Sequence, residues 1–391
     1  MSVAEQQALL KISSDISRID DASSSAGPRR RRFVGFAVVL VSIGIGLALM
    51  ESIVRAFRIG HINTVSRYHD KILKLRPHVG FMNYEENKNW VETNNLGFHD
   101  HDRAATNDKY RILFLGDSFV EGRQVSTESL FTIRLEKRLA QAGQKIETIN
   151  GGVLGTGTAY QYVLWKEFFE PSIRIDHLVL CFYMGNDLVD NNAELMFSAF
   201  PGTDHAFFVD SQGEISDVGK RPGQLKKVVT YVRDYSALAN TLYEAAYQMK
   251  KGREQRSDTS ANAVEKAVVG KASENNAGAW EASERGTIAL IRKWKSELEG
   301  KNIPFDIVVI DRPGRVYNKF ELEFIDTLKT TCAQDQIDCI RLKLAEDPYK
   351  LYSFDGKRLG HFNERGHETA ANELYEHFES RHKAILDRLS N

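Results

Sequence analysis

The chain has 391 residues, 42% of them hydrophobic and 10% aromatic, enough to bury the core of one large domain or two medium ones. Its 52 Lys and Arg residues and 53 Asp and Glu residues leave a formal net charge of -1. That balance supplies neither the basic footprint of a nucleic-acid binder nor an acidic tail, so no nucleic-acid partner is expected.

The charge is unevenly placed. Residues 1–28 are rich in Ser, Ala and Asp and read as a disordered cytoplasmic tail. Arg29-Arg30-Arg31-Arg32 follows, and then Phe33 to Met50 without a charge. Those eighteen residues span about 27 Å as a helix, close to the hydrocarbon thickness of a bilayer. Residues 29–58 therefore read as a transmembrane signal anchor that meets lipid over 33–54, with Glu51 and Arg55 paired at the membrane surface. The alternatives are a buried core helix, which would show a polar face, and a cleaved signal peptide, which would have a shorter pre-sequence and an A-x-A site. Four arginines before the span place the N-terminus inside. The expected location is a single pass of the cell (inner) membrane, with residues 59–391 outside it, on the periplasmic side.

Residues 59–108 are polar, show few strand signals and read as a connector wrapping the domain. Within it, His99-Asp100-His101-Asp102 has the residue types of a metal site. Adjacent residues rarely converge on one ion, so the segment reads as a solvated loop, and neither metal nor cofactor is expected.

Regular alternation begins at Tyr110. Strands are expected at 111–115, 146–149, 177–183, 305–310 and 337–342, and helices at 127–142, 158–169, 287–298, 319–333 and 364–389. The strand at 177–183 is apolar almost throughout, as a central parallel strand should be. Strand–helix alternation predicts a doubly wound α/β domain, helices on both faces of a parallel sheet. Residues 190–283 break the rhythm and read as an insertion, with Lys250 to Asn276 a low-complexity loop or frayed helix. Three cysteines are present. Cys181 sits in an apolar run as a buried thiol, and Cys332 and Cys339 could pair in an oxidising compartment.

In such sheets, sites form beyond the carboxyl ends of the strands. Four motifs fall there. The first strand runs into Gly116-Asp117-Ser118-Phe119, which exposes a serine at the sheet edge. The second ends in Asn150 and then Gly151, Gly152, Gly155 and Gly157. Their spacing is G-x-x-G-x-G, not the dinucleotide fingerprint, but it allows close backbone approach to a substrate oxygen. The third ends in Gly185-Asn186-Asp187, which can cap a helix or aim an amide at an oxyanion. Before the last helix stands Gly360-His361-Phe362-Asn363-Glu364-Arg365-Gly366-His367.

Together these motifs resemble the SGNH (GDSL-type) hydrolase superfamily over roughly 110–189 and 284–389, in a membrane-anchored bacterial form. The resemblance implies a serine ester hydrolase of flavodoxin-like α/β fold. Ser118 matches the nucleophile, His361 the base, and Ser118, Gly155 and Asn186 the oxyanion hole. One departure stands out. The family places an aspartate two or three residues before the histidine, where this chain has Arg358 and Leu359. Asp355 is the nearest upstream carboxylate and the expected third catalytic residue. A Ser–His dyad oriented by a backbone carbonyl, or a distant acid such as Asp311, are the alternatives.

The expected substrates are acylated carbohydrates, with O-acetyl or other small acyl groups on an envelope or exported polysaccharide. An O-acyltransferase using the same chemistry and a non-catalytic envelope scaffold stay open as other readings.

Overall fold

The computed structural model describes residues 28–57, 60–68, 71–199, 205–219, 223–255, 276–311, 317–344, 347–356 and 359–381. The N-terminal tail, Arg358, and most of the Lys250–Asn276 run lie outside the described residues. Helix α1 (Pro28–Ala56) carries the apolar run and is long and apolar enough to cross a membrane; none of that run is buried in the protein.

Residues 59–108 differ from the expected connector. They fold into two antiparallel hairpins, β1 (Val65–Tyr68) with β2 (Ile72–Leu75) and β3 (Gly80–Asn83) with β4 (Asn89–Glu92). Their strands are four residues long, too short for the alternation of a half-buried strand to show in sequence.

The domain proper runs β5 (Tyr110–Gly116), α2 (Ser118–Glu121), α3 (Phe131–Gln141), β6 (Ile146–Gly152), α4 (Thr158–Leu164), β7 (His177–Tyr183), α5 (Asp187–Asp190) and α6 (Ala193–Ala199). Helix α4 continues through a π turn at Trp165–Phe169. Next come the hairpin β8 (His205–Val209) and β9 (Ile215–Gly219), then α7 (Gln224–Tyr235) and α8 (Ala237–Gln255). The alternation resumes with α9 (Ala277–Glu299), β10 (Phe305–Ile310), α10 (Lys319–Gln334), β11 (Asp338–Arg341), α11 (Pro348–Tyr352) and α12 (Glu364–Arg381).

Five strands form one parallel sheet in the order β11-β10-β7-β5-β6. This is the expected doubly wound architecture. Alternate residues of each strand feed two separate cores. Leu113, Leu115, Ile149, Leu178, Leu180, Ile307 and Val309 face Trp165, Trp294 and Phe324 on one side. Ile112, Phe114, Val179, Cys181, Val308 and Ile310 face Leu135, Leu374 and Phe378 on the other. A sheet buried on both faces has no polar side to alternate with, so its inner strands β5, β7 and β10 read as mostly apolar runs in the sequence.

The chain leaves β5 towards β6 on one side and returns to β7 on the other. The crevice at that reversal, outside the carboxyl ends of β5 and β7, is the ligand position of open α/β sheets. Ser118 begins the helix after β5, and Asn186 follows β7. The three cysteines are free thiols, Cys332 and Cys339 in mutual hydrogen-bond contact rather than joined.

Candidate active site

The strand–helix turn after β5 is tight. The Asp117 side chain caps α2, its Oδ1 accepting from the Phe119 N–H at 2.9 Å. Helix α2 lasts one turn and ends at Gly122 in the left-handed region, φ 62°. A Cβ on Gly116 would lie 2.3 Å from Val120 Cγ2, so only glycine admits α2 this close to the strand end. Ser118 is thereby held at the mouth of the sheet, 8% exposed.

The turn after β6 is latched to the same helix. Asn150 Nδ2 donates to the Val120 carbonyl at 2.7 Å, and Asn150 Oδ1 accepts from the Gly152 N–H at 2.9 Å. The buried Glu121 carboxylate accepts from the Leu154 N–H at 3.0 Å. Gly155 follows with φ 69°, and open space lies where its Cβ would be. After β7, Asn186 donates from Nδ2 to Asp190 Oδ2 at 2.7 Å.

His361 arrives from the loop before α12. Its Nε2 stands 2.7 Å from Ser118 Oγ. Phe119 packs against the imidazole, with ring centroids 4.9 Å apart. The second histidine of this motif, His367, is buried away from the serine. Its Nδ1 accepts from the Phe131 N–H at 3.1 Å, and burial pushes its pKa down to about 3.

The carboxylate beside His361 is not the expected one. His361 Nδ1 lies 2.8 Å from Oε1 of Glu86, and the His361 backbone N–H donates to Glu86 Oε2 at 2.8 Å. The expected residue, Asp355, instead accepts from Ser353 Oγ at 3.1 Å. Asp311 is taken by the Arg341 guanidinium. This placement has a physical cause. Glu86 sits in the turn between β3 and β4, and that hairpin is tied to the loop after α2. Asn87 Nδ2 donates to the Gln124 carbonyl at 2.9 Å, and Asn89 Nδ2 donates to the Val125 carbonyl at 2.6 Å. Glu86 therefore reaches the site through a segment that the sequence shows only as a polar connector. Its one sequence mark is being one of two adjacent carboxylates in a run of asparagines, which carries no specific signal.

Three buried carboxylates stand behind the crevice. Burial pushes Asp117 up to about 6, against the opposing pull of the Phe119 N–H and His361. Burial and the charge of Asp117 push Asp190 up to about 7. Asp187 is pushed well above the usual carboxylate range by burial and by both neighbours.

Half of the His99–Asp102 segment is the expected solvated loop, with His101 and Asp102 exposed, but His99 and Asp100 are buried. His99 is fully buried, with Nδ1 3.0 Å from the Glu121 carbonyl. Asp100 forms a buried two-point pair with Arg103 at 2.9 and 2.7 Å and accepts from the Asn150 N–H at 3.2 Å. These groups brace α2 and the β6 turn from beneath. No grouping of His, Cys, Asp and Glu that could hold a metal occurs among the described residues.

Chemically, the arrangement can deprotonate a serine. With its proton on Nδ1 facing Glu86, the imidazole presents a lone pair at Nε2 to the Ser118 hydroxyl. No family model matches the chain, and no curated protein matches it. Solved structures with similar outlines include a lipase/acylhydrolase from Enterococcus faecalis, 13% identical, covering 70% of this chain and 96% of its own, TM-score 0.37. An acetyl xylan esterase, AlAXEase, is 12% identical and covers 68% and 98%, TM-score 0.37. A member of the lipolytic protein G-D-S-L family from Veillonella parvula DSM 2008 is 13% identical and covers 70% and 99%, TM-score 0.36. Likeness at this level carries no chemistry; the chemistry lies in the side chains.

Proposed function

We propose that this chain is a serine esterase of the SGNH type, with Ser118 as nucleophile, His361 as base and Glu86 as the acid that orients it. The observation that carries this reading is the continuous Ser118–His361–Glu86 relay, at 2.7 and 2.8 Å, at the reversal point of the sheet.

The reaction is acyl transfer to water. Ser118 Oγ attacks the ester carbonyl while His361 Nε2 takes its proton, and Glu86 stabilises the imidazolium. The Ser118 and Gly155 N–H groups and the Asn186 amide receive the oxyanion. Asp190 holds one N–H of that amide, leaving the other to donate to the oxyanion. Losing one such donor typically costs about 10²–10³ in rate. His361 then protonates the departing alcohol, and a water activated by the same nitrogen releases the acid.

Helix α1 serves as a membrane anchor, with the four arginines on the cytoplasmic side and the catalytic domain outside. Substrates would then be acyl esters of an envelope or exported polysaccharide. Assaying the full chain on a panel of esters of increasing acyl length, alone and with acceptor glycans, tests this. Hydrolysis that peaks at short acyl groups is the expected result. Product ester on the glycan in place of free acid would make the chain an acyltransferase, and no turnover of any ester would remove the esterase reading.

A further inference from the structure

Helix α7 is oriented backwards for a helix packed on a soluble domain. At i, i+3, i+4 and i+7 spacing, Leu225, Val228, Val229 and Val232 share one face, and Tyr231 and Tyr235 extend it. Amphipathic surface helices bury such a face against the core. Here it points outward, with Leu225 78% exposed, Val228 59%, Tyr231 66% and Tyr235 67%. The polar face holds the protein instead. Asp234 accepts from Asn63 Nδ2 at 2.8 Å and pairs with Arg76 at 2.6 Å, and Arg233 reaches Asn240 and Glu244, each at 2.8 Å.

The location of α7 identifies what covers it. Its C-terminal end is fastened to α1 one residue beyond the apolar run. Glu51 accepts from the Ala237 and Leu238 N–H groups and from Ser236 Oγ, each at 2.9 Å, while Arg55 donates to the Tyr235 carbonyl at 2.8 Å. Glu51 directly follows Met50, so the C-terminal end of α7 is held at the level where the hydrocarbon ends. The apolar face of α7 and the apolar run of α1 are both exposed. Tyr231 and Tyr235 supply the amphipathic rings that favour the membrane interface. Basic Lys227 beside the stripe suits anionic headgroups.

We propose that α7 is a second, interfacial membrane contact. It lies on the outer leaflet with its apolar face in the headgroup–acyl boundary, and it seats the catalytic domain against the lipid surface. The occupant of this face is lipid, not protein. This rests on the reading of α1 as an anchor.

The test uses the full chain in bilayer nanodiscs of phosphatidylcholine and phosphatidylglycerol. Spin labels are placed by Val228→Cys, Val232→Cys, Lys227→Cys and Ile43→Cys, with the labelled unsubstituted chain as background. The readout is collision with oxygen relative to a water-soluble nickel complex. Positions 228 and 232 should show a ratio several-fold above position 227 and approaching position 43. If 228 and 232 match 227 while 43 reads lipid, the interfacial contact is wrong and the anchor stands. Shielding of 228 and 232 from both reagents would mean protein covers the face, which overturns the proposal. An aqueous reading at 43 removes the anchor and the proposal with it.

Discussion

Glu86 holds His361 at two points, Oε1 at Nδ1 and Oε2 at the backbone N–H, both at 2.8 Å. It does so from a left-handed backbone conformation, φ 62°. A non-glycine residue there carries strain of order 1 kcal/mol, which persists where surrounding contacts over-determine it. Glu86→Gln should lower kcat by roughly 10²–10⁴ with little change in KM, because an amide cannot stabilise the imidazolium as a carboxylate does. Asp355→Asn should keep kcat near wild type. Steady-state kinetics on a nitrophenyl acetate compare the two, and the opposite ranking would return Asp355 to the acid's role.

Gly360 leaves the space that Glu86 uses. A Cβ there would stand 2.4 Å from Glu86 Oε2 and 2.6 Å from Oε1. The obstructed atoms end a flexible side chain, so Gly360→Ala should displace the carboxylate while sparing the fold. The expected outcome is a fall in kcat of at least about tenfold, within the range for losing an orienting group, with a nearly unchanged melting temperature. Unchanged activity would show that the carboxylate is dispensable or can bind the ring from another side.

Ser118→Ala should abolish both ester hydrolysis and covalent labelling by a fluorophosphonate, since no nucleophile remains for His361 to activate. Persistent labelling, mapped by mass spectrometry of the digested protein, would transfer the role to another serine.

Asp190 makes stability depend on pH in a direction that can be worked out. Its pKa is raised in the folded protein, from 3.8 to about 7, so the fold binds the proton more tightly than the unfolded chain does. Its contribution is fully present below about pH 4 and is lost as pH rises through about 7. Asp190→Asn, which cannot ionise, should gain stability relative to wild type at pH 8 by roughly 4 kcal/mol, at about 1.4 kcal/mol per pKa unit, and by less than half of that at pH 5. Denaturant melts of both proteins at the two pH values measure this. A gain equal at pH 5 and pH 8 would mean the carboxyl is already ionised at pH 5.

Much of this molecule is legible from local sequence. The three inner sheet strands, β5, β7 and β10, stand where apolar runs predict them, because strands covered on both faces are mostly apolar, whereas the edge strands β6 and β11 carry polar residues such as Glu147, Thr148 and Asp338. The turns after β5 and β7 are legible for the same local reason, since Gly116 ends β5 and Gly185-Asn186 closely follows β7, whereas β6 runs two residues past Asn150, to Gly152. The apolar run of α1 is equally plain. What the tertiary structure decided is which distant groups meet. Glu86 precedes His361 by 275 residues and reaches it only because the β3–β4 hairpin docks through asparagine side chains on the loop after α2. His99 and Asp100 look like a solvated turn, yet they are buried because β6 and α2 close over them. The apolar stripe of α7 is visible as a pattern, but the contacts of Asp234 with Asn63 and Arg76 decide that the stripe faces outward. Periodicity reports which face of an element is apolar; docking between elements remote in sequence decides what that face meets.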